Sequence, residues 1–123
     1  MLYKTILLNN IKTMEMNEYQ DKASETAIFE HDDVDELIYT ALGLAGETGE
    51  VVEKIKKIYR NDKGVISEDK VNDLKREMGD VLWYLSQMAR VLGVTLEDVA
   101  QENVKKLQDR QNRNVLATEG DDR

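Results

Sequence analysis

The sequence predicts an all-α protein, a four-helix-bundle type of fold whose helices pack into an oligomer. Three observations predict it. Apolar residues recur at helical spacing through most of the 123 residues, proline is absent, and aromatic residues make up only 6% of the chain. The length suits one domain with one core. The helical pattern occupies residues 17–112, preceded by a leader (1–16) and followed by a polar tail (113–123). Met14 and Met16 suggest a later start as an expectation, and the apolar run Met1–Leu8 is too short to read as a signal peptide or a membrane span.

The first helix is expected from Asn17 to Phe29, with Tyr19, Ala23, Ala27 and Ile28 as its apolar positions and Asn17 with Gln20 as a capping box. Asp32 or Asp33 starts the second, which runs to Tyr59 or Arg60 on Leu37, Ile38, Ala41, Leu42, Ala45, Val52, Ile55 and Ile58. Asn61-Asp62-Lys63-Gly64 is a turn signature. Ser67, followed by Glu68 and Asp69, opens the third helix, which runs to Leu92 and closes on Gly93. Thr95-Leu96-Glu97-Asp98 caps a fourth helix ending near Asn112.

Val81-Leu82-Trp83-Tyr84-Leu85 is apolar around more than one helical turn. A helix apolar on every side is buried on every side, and a chain this short cannot surround one of its own members. The third helix is therefore expected at a subunit interface. Gly43, Gly46 and Gly49 in the second helix and Gly79 in the third each cost about 1 kcal/mol relative to alanine. Such a series predicts close approach of another backbone or a ligand.

Two acidic pairs carry the chemistry: Glu47-Thr48-Gly49-Glu50 and Glu77-Met78-Gly79-Asp80. At spacing i, i+3 the two carboxylates of a pair share one helix face. If the two helices face each other, four negative charges converge, and a cation is needed to offset their repulsion. With no cysteine and a single histidine, His31, that cation is expected to be held by oxygen, which favours Mg2+, with Mn2+ as an alternative. The stripe continues as Lys54 on the second helix and Tyr84 on the third, while Asn103, Lys106 and Arg110 form a polar, largely cationic stripe on the fourth that could hold phosphate.

Ordinary alternatives exist for each. An isolated acidic pair is usually a solvated face, and Lys106 with Arg110 could be an ion-pair ladder. Tyr84 and Trp83 could be core and interface residues, Tyr84 a base-stacking one. Glu53, among Lys54, Lys56 and Lys57, reads as a surface ion pair, and His31 as structural or exposed. The combination decides: Asp80 immediately precedes the most apolar run, and Glu47 and Glu50 are interleaved with the glycines. A net charge of −8 disfavours nucleic acid and anionic membrane as partners, and the expected location is the cytoplasm.

These motifs, in this order, resemble those of the MazG-like all-α nucleoside triphosphate pyrophosphohydrolases. Gly43–Val51 resembles the family's first motif, and, with 26 residues between Glu50 and Glu77, the segment Glu77–Leu85 resembles the second. Asn103–Arg110 resembles its C-terminal N-x-x-K-L-x-x-R element, and Asn17–Gln20 the start of its first helix. The leader has no place in that pattern.

The resemblance implies hydrolysis of a (deoxy)nucleoside triphosphate to a monophosphate and pyrophosphate, in nucleotide-pool sanitation. Glu47, Glu50, Glu77 and Asp80 would ligate one or two Mg2+ ions, and Glu47 or Glu50 would orient the attacking water. Lys106 and Arg110 would offset phosphate charge, Asn103 would hydrogen-bond substrate, and Lys54 and Tyr84 would border it. It also implies a homodimer or homotetramer. A narrow dUTPase or dCTPase, or a helical interaction module without activity, are the alternatives.

Overall fold

Four helices make up the described part of the chain, which a computed structural model covers over residues 12–28 and 33–116. They are α1 (Met16–Ser24), α2 (Asp33–Asp62), α3 (Glu68–Val91) and α4 (Leu96–Asn112), with no strand among the described residues. The all-α expectation holds. Phe29, His31 and Asp32, the leader up to residue 11 and the tail from 117 lie outside the described residues.

α2 and α3 form the scaffold, an antiparallel hairpin that supplies the most extensive helix–helix contact. α2 runs two residues past Arg60 before the chain turns through Lys63 (φ 53°) and Gly64 (φ 80°). Gly64 N–H donates to the Ile58 carbonyl at 3.2 Å, which closes the helix end. Ser67 caps α3, and Gly93 at φ 73° ends it, with Val94 N–H reaching back to the Ala89 carbonyl at 3.0 Å.

α1 packs on α3 and α4, and here the structure corrects one expectation. Asn17 and Gln20 do not cap α1, which begins at Met16 behind Glu15 with no side-chain cap. They cap α4 instead. Leu96 N–H donates to Gln20 Oε1 at 2.9 Å, Glu97 N–H to Asn17 Oδ1 at 3.2 Å, and Asp98 N–H to Thr95 Oγ1 at 3.0 Å. The first three amides of α4, which have no partner within their own helix, are thus all satisfied. Thr95 and Asp98 make the expected capping box. α1 also ends sooner than expected, at Ser24, where Ser24 and Thr26 hydroxyls turn back onto the carbonyls of Gln20 and Ala23.

Among the described residues the interior is thin and half polar. Ala23, Ile58, Ala89 and Leu96 are buried apolar residues; Gln20, Thr40, Ser86, Gln87 and Arg110 are buried as well. These polar groups are engaged: Gln20 donates to the Ser86 and Val94 carbonyls, Ser86 to Trp83 O, and Arg90 to Gln87 Oε1 at 2.8 Å. Much of the apolar surface is left uncovered by this chain, including Leu42 (69% exposed), Val52 (60%) and Met78 (60%). No residue of the Val81–Leu85 run is fully buried, and Leu82 is exposed. Among the described residues, no helix is long and apolar enough to cross a membrane.

Candidate metal centre

The antiparallel packing of α2 on α3 decides which of the acidic side chains meet. Glu47 from α2 and Glu77 and Asp80 from α3 each offer a carboxylate oxygen, and the three oxygens lie within 4.8 Å of one another. Glu47 and Glu77 are half-buried and Asp80 is exposed, so the group opens to solvent on one side. Glu50 sits one turn further along α2, exposed and outside the three-oxygen group, on the same face as Glu47.

The electrostatics are those of crowded like charges. The Glu47 carboxyl is pushed above the usual carboxylate range, first by burial and then by Asp80, Glu77 and Glu50. Among the described residues one cation answers this: Lys54 Nζ lies 3.1 Å from Glu77 Oε1, across the α2–α3 contact. Three or four carboxylates against one ammonium leave a net negative, all-oxygen donor set. That is the chemistry a hard divalent cation requires.

A tyrosine wall closes one side of the cluster. Tyr84 is held between Trp83, edge-on at 4.9 Å between ring centroids, and Tyr39 at 6.2 Å. Its hydroxyl is pushed up by burial, by the Tyr39 hydroxyl, and by the carboxylates Glu47 and Asp80. Tyr19 of α1 is pushed up likewise, by burial and by Asp80. Tyr19 and Tyr39 were missed as site residues by sequence reasoning, because an aromatic at a helical apolar position reads as core.

Gly43 explains itself here, since a Cβ at that position would overlap the Tyr84 ring. Gly46, Gly49 and Gly79 have no such neighbour: a Cβ on any of them would meet nothing within 4 Å among the described residues. Glu53 pairs with Lys56 and Lys57 on the surface, as expected for an ion pair rather than a ligand.

The cationic stripe of α4 does not meet the carboxylates in the same way. Asn103 and Lys106 line a separate cavity of about 890 Å³ with Val94, Asp98, Val99 and Lys105, and its described lining contains none of the four acids. Arg110 is buried, 5% exposed, near the C-terminal end of α4. α4 packs on α1 and α3 and makes no contact with α2 among the described residues. The structure thus brings together Glu47, Glu77, Asp80, Lys54 and Tyr84, with Glu50 at the margin, and leaves Asn103 and Lys106 apart.

Comparison with known proteins bears directly on this arrangement. The family model for the MazG nucleotide pyrophosphohydrolase domain matches residues 36–115, which include both acidic pairs, nearly all of α2 and the whole of α3. The chain belongs to the MazG nucleotide pyrophosphohydrolase family. A relative in Mycobacterium phage L5, described as "Gene 37 protein", is 44% identical over 114 residues, covering 89% of this chain and all of that protein. No solved structure matches. The carboxylate cluster of this MazG domain lies on its two central helices, and α1, which carries Tyr19, precedes the matched region.

Proposed function

We propose that the protein is a Mg2+-dependent nucleoside triphosphate pyrophosphohydrolase acting in nucleotide-pool sanitation. The observation that carries this reading is the meeting of three carboxylate oxygens within 4.8 Å, on two helices that lie in the region the family model matches. Glu47, Glu77 and Asp80 would hold the cation, with Glu50 one turn along α2 beside them. When bound, it would neutralise phosphate charge and polarise the phosphoryl group under attack.

The chain's own groups have distinct tasks. Glu50, outside the three-oxygen group, orients the attacking water and accepts its proton. Water adds its oxygen to the α-phosphorus as the α–β bridging bond breaks, and the bridging oxygen leaves with the β-phosphate as pyrophosphate. Lys54 pairs with Glu77 and orients it. Tyr84, flanked by Tyr39, offers an aromatic surface beside the cluster for the nucleoside. Asn103, Lys106 and Arg110 are assigned to substrate through the N-x-x-K-L-x-x-R element.

Assembly belongs to the same reading. Ile38, Leu42, Ala45, Gly49, Val52 and Tyr59 follow one another along α2 at steps of three, four and seven, and all are exposed in the single chain. Gly46, Gly49 and Gly79 lack a packing reason within it. A homodimer or homotetramer would cover that stripe and let a neighbouring backbone approach the glycines.

The deciding experiment is turnover of all eight common (deoxy)nucleoside triphosphates with Mg2+, resolving pyrophosphate from orthophosphate, with Glu50→Gln as control. Pyrophosphate and monophosphate in equal amounts, absent in the variant, are expected, and the panel ranks a broad activity against a narrow dUTPase or dCTPase. Stoichiometric partner binding without turnover by Mg2+ or Mn2+ would leave a helical interaction module instead.

A further inference from the structure

We propose that Lys54, Lys57 and Lys70 form a diphosphate pocket in the α2–α3 groove, one turn from the carboxylate cluster, that receives the β- and γ-phosphates of the substrate and free pyrophosphate. The proposal rests on the hydrolase reading for its link to turnover, but not for the existence of the pocket.

The groove changes sign along its length. On α2 the groove face carries Glu47, Glu50, Lys54 and Lys57, at steps of three, four and three residues. On α3, read backwards, the same steps give Asp80, Glu77, Asp73 and Lys70. Because the helices are antiparallel, the two acidic ends lie together and the two basic ends lie together. Lys54 joins the two regions: it is paired with Glu77 at 3.1 Å and also lines a cavity of about 90 Å³ with Lys57, Ile58, Lys70 and Asp73.

That cavity is well below the several hundred Å³ that enclose a nucleoside-sized ligand, which fits a phosphate group and excludes a base and sugar. Its lining gathers three ammonium groups and one carboxylate in a chain of net charge −8, with Glu77, Glu53 and Asp62 as the lysines' own partners. The carboxylate, Asp73, is engaged by Arg76 at 3.1 Å. Lys57 and Lys70 are held loosely by comparison. Lys57 reaches the exposed Glu53 at 3.4 Å, and Lys70 stands 4.0 Å from Asp62 Oδ2, an oxygen with no hydrogen-bond partner. An incoming diphosphate supplies shorter, charge-assisted bonds to the same ammonium groups. A triphosphate whose α-phosphorus sits at the carboxylate cluster extends along the groove toward Lys54, because the acidic end repels its terminal phosphates.

The test is calorimetric binding of magnesium pyrophosphate to the full chain, wild type against Lys57→Gln/Lys70→Gln, neither residue being a member of the carboxylate cluster. The double variant is expected to bind pyrophosphate at least about tenfold more weakly and to raise KM for the triphosphate, since each lost charge-assisted bond is worth about one power of ten. Its affinity for Mn2+ alone and for the nucleoside monophosphate should stay within about threefold, as expected for solvent-screened charges at a distance. Unchanged pyrophosphate affinity, or an equal loss for pyrophosphate, monophosphate and Mn2+, would overturn the pocket. Loss of pyrophosphate binding with KM unaltered would overturn its assignment to the substrate. Wild-type chain that binds pyrophosphate through these lysines but hydrolyses no triphosphate would overturn the hydrolase reading and leave the pocket standing.

Discussion

Lys54 Nζ stands 3.1 Å from Glu77 Oε1, so α2 supplies the counter-charge to a carboxylate that α3 brings into the cluster. The pair links the two helices at a point where only a third of the lysine side chain and a fifth of the glutamate are exposed. Lys54→Met should therefore have opposite effects on two ligands. It removes a positive charge beside the proposed cation site, so Mn2+ should bind the nucleotide-free chain more tightly. It also removes a positive charge facing the phosphates, so the nucleotide should bind more weakly. Stability without metal should fall by about 1 kcal/mol, the scale of a partly exposed ion pair. Titration of Mn2+ and of a triphosphate against both proteins checks the signs; affinities moving the same way would remove Lys54 from the site.

Gly43 and Tyr84 are a matched pair. The ring of Tyr84 occupies the space a Cβ at position 43 would need, and Trp83 and Tyr39 limit where the ring can go. Gly43→Ala should displace it, at a cost of about 1–3 kcal/mol, the usual range for overpacking a filled site. Intrinsic helix propensity acts the other way by about 1 kcal/mol, so a net loss in urea unfolding would identify the ring clash. Gly46→Ala, with nothing within 4 Å, should show only the propensity gain in a monomer. If Gly46→Ala instead weakens the assembly seen by light scattering, the glycine faces another copy.

Glu47 is expected to be stabilising only when the proposed site is occupied. Burial, Asp80 and Glu77 from α3, and Glu50 on its own helix, raise its carboxyl above the usual range. Between the unfolded and the raised folded value, the native chain holds more protons than the unfolded one, so its stability falls as pH rises through that interval. Glu47→Gln removes this repulsion. In metal-free buffer near neutrality the variant should melt higher than wild type, and the difference should shrink on acidification as the wild-type carboxyl takes up its proton. Added Mg2+ should raise the wild-type Tm and leave the variant's nearly unmoved. A variant that melts lower without metal, or gains as much from Mg2+, would remove Glu47 from the ligand set.

The helices were legible because their signals are local. The 3.6-residue apolar period, Ser67, Gly93 and the Thr95–Asp98 box each act within a turn of their own position. The acidic pairs were legible because i, i+3 spacing places both members on one face, wherever that face points. What could not be read is which distant group each side chain meets. Asn17 and Gln20 have the spacing to cap α1, but the same amides serve the N-terminus of α4, and tertiary packing decides between them. Tyr19 and Tyr39 look like core from spacing alone. Gly43 and Gly46 are equivalent in sequence terms, and only the position of Tyr84 tells them apart. The Lys54–Glu77 pair joins residues on separate helices, a contact set by the register of the hairpin.

Gln20 is the residue on which the position of α1 depends most. Its amide donates to the Ser86 and Val94 carbonyls at 3.2 and 3.1 Å, and its oxygen accepts from Leu96 N–H at 2.9 Å. The residue is only 7% exposed, so water does not readily replace these bonds. Gln20→Leu keeps the bulk but strands the Leu96 amide, the first of α4, and the Val94 carbonyl. Each stranded buried group costs about 1–3 kcal/mol, so a loss of about 2–4 kcal/mol is expected in urea unfolding. Asn17→Ala removes a comparable cap bond at an exposed position, from the adjacent amide Glu97 N–H, and should cost no more than about 1 kcal/mol. The consequence extends to the cluster, because α1 carries Tyr19 to Asp80. Gln20→Leu should therefore also loosen the tyrosine wall, read as increased quenching of Trp83 fluorescence by acrylamide at temperatures below the melt. Trp83 is a suitable reporter, since its indole N–H donates to Thr26 just beyond the end of α1 at 2.9 Å. Equal losses from the two variants, with Trp83 no more accessible in either, would show that α1 is held by something other than Gln20.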